Sequence, residues 1–247
     1  SPEEYLRVVE RLASEDVDML EINISCPNVN ANFLSFGQDP ACVESLTSQI
    51  KKVAGQPIIM KLTPNVTDIT EVAKAAEAGG ADAVSLINTL TGMKIDVNKR
   101  TFVLANKTGG MSGPAVKPVA VRMVYQTAQA VKIPVIGMGG ITTAEDALEF
   151  ILAGATAVSV GTANFFQPDA TVEIVKEIER YLEENKIQDI KELIGAVRYE
   201  KRREKGSVAY RNFTEPLIKR WKKYQWRRHT ENWGIFCAEK APRELSC

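Results

Sequence analysis

The segment Asn23-Ile24-Ser25-Cys26-Pro27-Asn28 sets a thiol among amide side chains at the end of the apolar run Met19–Ile24. That run reads as a buried strand, and proline after the cysteine ends ladder pairing and turns the backbone outward. Asn23, Cys26 and Asn28 can then converge on a ligand above the strand, the thiolate as base or nucleophile and the amides as hydrogen-bonding groups. A buried structural cysteine in a turn is the other reading of the same text. Comparable chemistry recurs at the ends of other apolar runs: Lys61, then Asn88 and Thr89, then the pairs Gly139-Gly140 and Gly161-Thr162. Backbone N–H groups exposed at glycine turns ahead of a helix suit a phosphate, although a tight strand-to-helix turn selects the same residues.

The elements that must carry these groups follow from periodicity. Short apolar runs at Met19–Ile24, Pro57–Leu62, Ala83–Ile87, Ile133–Met138 and Ala157–Val160 read as strands buried on both faces. Helical patterns lie between and after them at Ala41–Val53, Asp68–Ala78, Pro118–Val131, Thr143–Leu152 and Thr171–Asn185, several of them opened by Thr, Asp or Pro and closed by Gly. Strict alternation predicts a parallel α/β sheet, either a barrel or a doubly wound layer. The polar residues all fall at the C-terminal ends of successive strands, which is the catalytic face of a TIM (β/α)₈ barrel. In that fold the last two strands are where a phosphate sits, here Gly139-Gly140 and Gly161-Thr162. The long segment Asn88–Lys117, with Lys107-Thr-Gly-Gly-Met-Ser-Gly-Pro114, is read as a loop, functional or merely solvated.

Composition narrows the class. The 247 residues are 45% hydrophobic, enough for one large α/β core. Net charge is zero, but residues 198–247 hold 14 Lys and Arg against 6 Asp and Glu, leaving 17 against 25 in the remainder. The chain therefore divides into an acidic body, 1–197, and a basic tail, 198–247, that gathers Trp221, Trp226, Trp233 and His229. Basic residues interleaved with aromatics can hold single-stranded nucleic acid, but a foreign extension or a strip lying on the acidic body accounts for them more simply. Cys26, Cys42, Cys237 and Cys247 show neither metal spacing nor disulfide density, so no metal is expected and a reducing cytoplasm fits. No run is long enough to cross a bilayer, and membrane association is not expected.

Taken together, Glu21-Ile-Asn-Ile-Ser-Cys-Pro-Asn28, Phe36-Gly-Gln-Asp39, Lys61-Leu-Thr-Pro-Asn65, Ser85-Leu-Ile-Asn-Thr89, Gly110-Met-Ser-Gly-Pro114, Ile136-Gly-Met-Gly-Gly-Ile141 and Val160-Gly-Thr162 resemble the catalytic flavoprotein subunit of the dihydroorotate dehydrogenase family. The resemblance runs from about Tyr5 to Ala196. Cysteine at 26, where the membrane-bound class has serine, resembles class 1, and the Phe36–Asp39 loop resembles the NAD-linked type 1B. The resemblance implies FMN-dependent oxidation of dihydroorotate to orotate in pyrimidine biosynthesis, with Cys26 as the catalytic base. It implies that Asn23, Asn28, Asn88 and Thr89 bind substrate. It places Asn23, Lys61, Ile87, Gly113, Gly139, Gly140, Gly161 and Thr162 around FMN, Lys61 at the flavin's N1/O2 edge and the glycines and Thr162 at the ribityl phosphate. It further implies a homodimer and an electron-transfer subunit carrying FAD and an iron–sulfur cluster. Cys42, on a helix face, is expected only to pack.

Two departures temper these expectations. A closed barrel has eight strands and five are counted here; the other three units, roughly 100 residues, would precede Ser1. A five-strand sector leaves open sheet edges that invite association, so little activity is expected of the chain alone. The alternatives that stand beside the main reading are a dihydropyrimidine dehydrogenase-like flavin domain and a non-catalytic barrel fragment acting only by association. The tail after Val197 resembles nothing in the family.

Overall fold

A computed structural model describes residues 1–25 and 36–198, and Ser1–Arg198 form one compact unit. In chain order the elements are α1 (Pro2–Leu12), β1 (Leu20–Asn23), α2 (Pro40–Val53), β2 (Ile58–Lys61), α3 (Ile69–Ala78), β3 (Ala83–Leu86), β4 (Leu90–Met93), β5 (Ile95–Asp96), β6 (Thr101–Phe102), β7 (Thr108–Met111), α4 (Lys117–Ala130), β8 (Val135–Met138), α5 (Ala144–Ala153), β9 (Ala157–Ser159) and α6 (Ala170–Asn185). The main sheet is wholly parallel with strand order β1-β2-β3-β8-β9, as the alternation predicts.

Register decides which side chains share a face. Asn23 pairs with Lys61, Lys61 with Ser85, and Ser85 with Ile136, so these residues line one face of the sheet. The alternate residues, among them Ile22, Met60, Val84 and Leu86, join the core beneath the helices. Fully buried Ile58, Met60, Leu62, Leu86 and Phe150 anchor that core, each contributing about 1.5–3 kcal/mol. Gly137 is required at its place: a Cβ there would lie 2.6 Å from Cδ1 of Phe150, so β8 and α5 could not approach as they do. Five parallel strands in sequence order with helices over one face make a partial barrel of the TIM type.

Helix ends follow the expected chemistry. Asp39 accepts from Ala41 N at 2.9 Å, Asp68 from Thr70 N at 2.8 Å, and α5 ends at Gly154 in the left-handed conformation. Two features depart from the sequence reading. Helix α1 was not anticipated, although Ser1 and Glu4 form a capping box at its start, Pro2 opens it, and Tyr5, Leu6 and Val9 pack against the core. The segment Asn88–Lys117, expected as a loop, folds into nested antiparallel pairs, β4 with β7 and β5 with β6. Its partners are close in sequence and its strands largely exposed, so no buried alternation marks them. The arm carries the chain out from Thr89 and back to Gly113.

Among the described residues no helix is long and apolar enough to cross a membrane. Residues 199–247, including the three tryptophans and His229, lie outside the described residues.

Candidate active site

At the C-terminal ends of β2, β3, β8 and β9 a cavity of about 210 Å³ opens between the strand ends and the returning arm. Lys61, Ile87, Asn88, Thr89, Gly113, Gly139, Gly140, Gly161 and Thr162 all line it. Every one of these was singled out from the sequence, although they lie on five separate segments. Met111, Ser112, Val116, Met138 and Ser159 also line it, and among the described residues that do so Lys61 is the only charged one.

Asn23 joins through hydrogen bonds. Asn88 Nδ2 donates to Asn23 Oδ1 at 3.0 Å and to Ser25 Oγ at 2.6 Å, while Thr89 N donates to Asn88 Oδ1 at 2.8 Å. The amide of Asn88 is thereby fixed between two strands. Tyr5 Oη donates to the carbonyl of Asn23 at 2.7 Å, so α1 also holds the end of β1. Lys61 Nζ is 3.0 Å from Glu21 Oε1, and Glu21 Oε2 accepts from Ser85 Oγ at 2.9 Å. An acid inside the apolar text Met19-Leu-Glu-Ile22 was the available signal for Glu21. Ser25, Ser85 and Asn65 carried no such mark.

Asn65 ties three segments together. Its Nδ2 donates to Thr63 Oγ1 and to the carbonyl of Thr89, both at 3.1 Å, its Oδ1 accepts from Thr91 N at 2.9 Å, and its carbonyl accepts from Gln38 Nε2 at 3.0 Å. Gln38 belongs to the segment that follows residues 26–35. The flanks of that stretch meet: a Cβ on Gly37 would be 2.6 Å from the carbonyl oxygen of Ile24. Cys26 and Asn28 themselves lie outside the described residues.

The glycine turns have the character of an anion cradle. Gly139 and Gly140 have φ of +127° and +78°, and a Cβ on Gly140 would stand 2.7 Å from the carbonyl of Gly113, so the two turns touch. Gly161 faces open space, with nothing within 4 Å of a Cβ placed there. Among the described residues the N–H groups of Gly139, Gly140 and Gly161 have no protein acceptor. Thr162 Oγ1 and Ser112 Oγ lie 3.4 Å apart across the opening. Hydroxyls and N–H groups around a gap, without a carboxylate among the described lining residues, are a donor set that suits a phosphate.

Asp146 braces the turn from behind. Burial opposes its charge, but hydrogen bonds from Lys117 and Thr142 outweigh that and hold its pKa at about 2. The thiol pKa of half-buried Cys42 is pushed up by burial and by its contact with the Asp39 carboxylate at 3.5 Å. No cluster among the described residues could hold a metal ion.

Comparison with known proteins gives a consistent result. The family model described as dihydroorotate dehydrogenase matches residues 1–182. The chain is 67% identical over 198 residues to the dihydroorotate dehydrogenase B (NAD(+)) catalytic subunit of Lachnoclostridium phytofermentans, covering 80% of this chain and 66% of that one. It is 62% identical over 192 residues to the protein of the same name from Alkaliphilus oremlandii, covering 78% and 64%, and 59% identical over 196 residues to that of Geobacter sulfurreducens, covering 79% and 64%. The chain thus spans just under two thirds of the length of these relatives.

Proposed function

The chain belongs to the dihydroorotate dehydrogenase family, and from that premise we propose that residues 1–197 form the FMN- and dihydroorotate-binding part of an NAD-linked catalytic subunit acting in cytoplasmic pyrimidine biosynthesis. The observation that carries this reading is the convergence of Lys61, Asn88, Thr89 and the turns at Gly113, Gly139 and Gly161 on one cavity. FMN, when bound, would take the hydride from C6 of dihydroorotate.

The chain's own residues do the rest. Gly139, Gly140 and Gly161 would offer N–H groups, and Thr162 a hydroxyl, to the ribityl phosphate. Lys61 would stand at the ring's N1/O2 edge, its charge favouring the reduced anionic form. Ile87, held by its N–H on the carbonyl of Met138 at 3.0 Å, would pack against the ring. Asn23 and Asn88, already locked together, would with Asn28 and Thr89 orient the pyrimidine and its carboxylate by hydrogen bonds. Cys26 would take the proton from C5, a task that needs a thiolate accessible near neutral pH. Electrons would leave through a partner subunit of the kind that a protein named a catalytic subunit requires.

Two measurements test this: flavin absorbance of the chain after incubation with FMN, and bleaching of that flavin by dihydroorotate once the chain is joined to the N-terminal barrel units of a relative. FMN binding that is lost in Gly161→Val, with flavin bleaching abolished in Cys26→Ala but FMN retained, is the expected pattern. Folded protein that takes up no FMN, or Cys26→Ala that bleaches at the unaltered rate, rejects the corresponding assignment.

A further inference from the structure

One carboxylate is bonded to both glycine turns. Asp146 Oδ1 lies 2.6 Å from Nζ of Lys117, the first residue of α4 and the continuation of the turn Gly113–Val116. Asp146 Oδ2 accepts from Thr142 N at 2.8 Å, Thr142 Oγ1 at 2.7 Å and Thr143 N at 3.1 Å, which hold the end of the turn Gly139–Thr142. Between the two anchors the turns are in contact, since a Cβ on Gly140 would be 3.0 Å from Cβ of Lys117 and 3.1 Å from Cα of Pro114. Asp146 is 14% exposed and Lys117 25%, so the pair is largely withdrawn from solvent, where such bonds are strong. Glu149 takes a second bond from Lys117 Nζ, also at 2.6 Å.

We propose that Lys117 and Asp146 are positioning residues that clamp the two turns into a single phosphate cradle. The inference rests on the flavin reading of the cavity. The clamp acts in two ways. It fixes the separation of the turns, so that their N–H groups converge. It also cancels charge: without Lys117, the carboxylates of Asp146 and Glu149 would stand uncompensated behind the site and repel a phosphate dianion.

Both effects concern the phosphate and not the isoalloxazine ring, so FMN and riboflavin separate the clamp from general support of the fold. Lys117→Met is expected to raise the dissociation constant for FMN about tenfold, more at low salt than at high, with riboflavin binding unchanged. Lys117→Arg, which keeps the charge and the donors, is expected to restore FMN. Asp146→Asn, read by amide hydrogen exchange without any flavin, is expected to speed exchange at Thr142 and Thr143 while leaving β3 unaffected. Equal weakening of FMN and riboflavin in a folded Lys117→Met protein, or FMN binding at the unaltered strength, overturns the clamp. If the unaltered chain binds neither flavin, or both alike, the phosphate reading fails and takes the clamp's ligand with it. Unchanged exchange at Thr142 and Thr143 in Asp146→Asn overturns the clamp whatever the flavins do.

Discussion

Lys61 reaches Glu21 diagonally across the β1–β2 pairing: its direct register partner is Asn23, yet its ammonium lies 3.0 Å from the Glu21 carboxylate two residues back. Among the described residues, the only cation lining the cavity is therefore held by a counter-charge that does not line it. Lys61→Met should leave Glu21 with only Ser85 as partner, and Glu21→Gln should leave the ammonium without its ion pair. Urea unfolding of both single variants and the double variant should give a coupling of about 0.2–1 kcal/mol, at the modest end because Glu21 is 37% exposed. Strictly additive changes would show that the pair contributes nothing.

Gly140 and Gly161 should respond in opposite ways to the same added methyl group. At Gly140 φ is +78° and the new Cβ would meet the backbone of Gly113 and Pro114, so Gly140→Ala should destabilise the fold by more than about 1 kcal/mol. At Gly161 the Cβ would meet nothing, so Gly161→Ala should fold with unchanged stability. Denaturant midpoints compare the two directly.

Asn65→Ala removes an acceptor from Thr91 N and donors to Thr63 and Thr89 at once. Part-buried groups left without partners cost about 1–3 kcal/mol, and Thr89 loses its brace. Orotate affinity of flavin-loaded protein, read from the flavin spectrum, should fall while FMN affinity holds. A parallel loss of both would place Asn65 in general support of the fold.

The pKa of Asp146, about 2 in the fold against an ordinary carboxylate value near 3.8, makes stability depend on acid. Because the folded value is the lower one, the contribution is fully present above about pH 5 and disappears as pH falls from about 4 toward 2; it amounts to roughly 2 kcal/mol. Asp146→Asn should flatten that part of the stability profile. Lys117, raised by its bonds to Asp146 and Glu149 despite burial, contributes stability below its ordinary pKa that is lost as pH rises through the higher folded value. Denaturation midpoints from pH 2 to 6 check the acid limb.

Local rules were sufficient for much of this protein. Apolar runs of four to six residues, each followed by a polar residue or glycine, marked the five parallel strands among the described residues, because a strand buried beneath helices must be apolar and its C-terminal end is where the chain turns to the next helix. Asp68 and Thr143 announced helix starts through side-chain acceptors that act within two or three residues. Lys61, Asn88, Thr89, Gly139, Gly140, Gly161 and Thr162 were legible for the same reason, since each sits at the end of a parallel strand that alternation predicts, whereas Ile87 and Gly113 were reached only through the family resemblance. Tertiary structure decided what depends on register and on contacts distant in sequence. The β4–β7 arm escaped the sequence because its pairing is exposed and has no buried stripe to betray it. Glu21 meets Lys61 and Ser85 only once three strands are set side by side in one register, 40 and 64 residues apart in the chain. Asp146 caps its own helix together with Thr143, but that its other oxygen reaches Lys117 is a consequence of how α4 and α5 pack. Spacing in sequence reports bonds made within one turn or one strand; bonds made between elements are set by the sheet that gathers them.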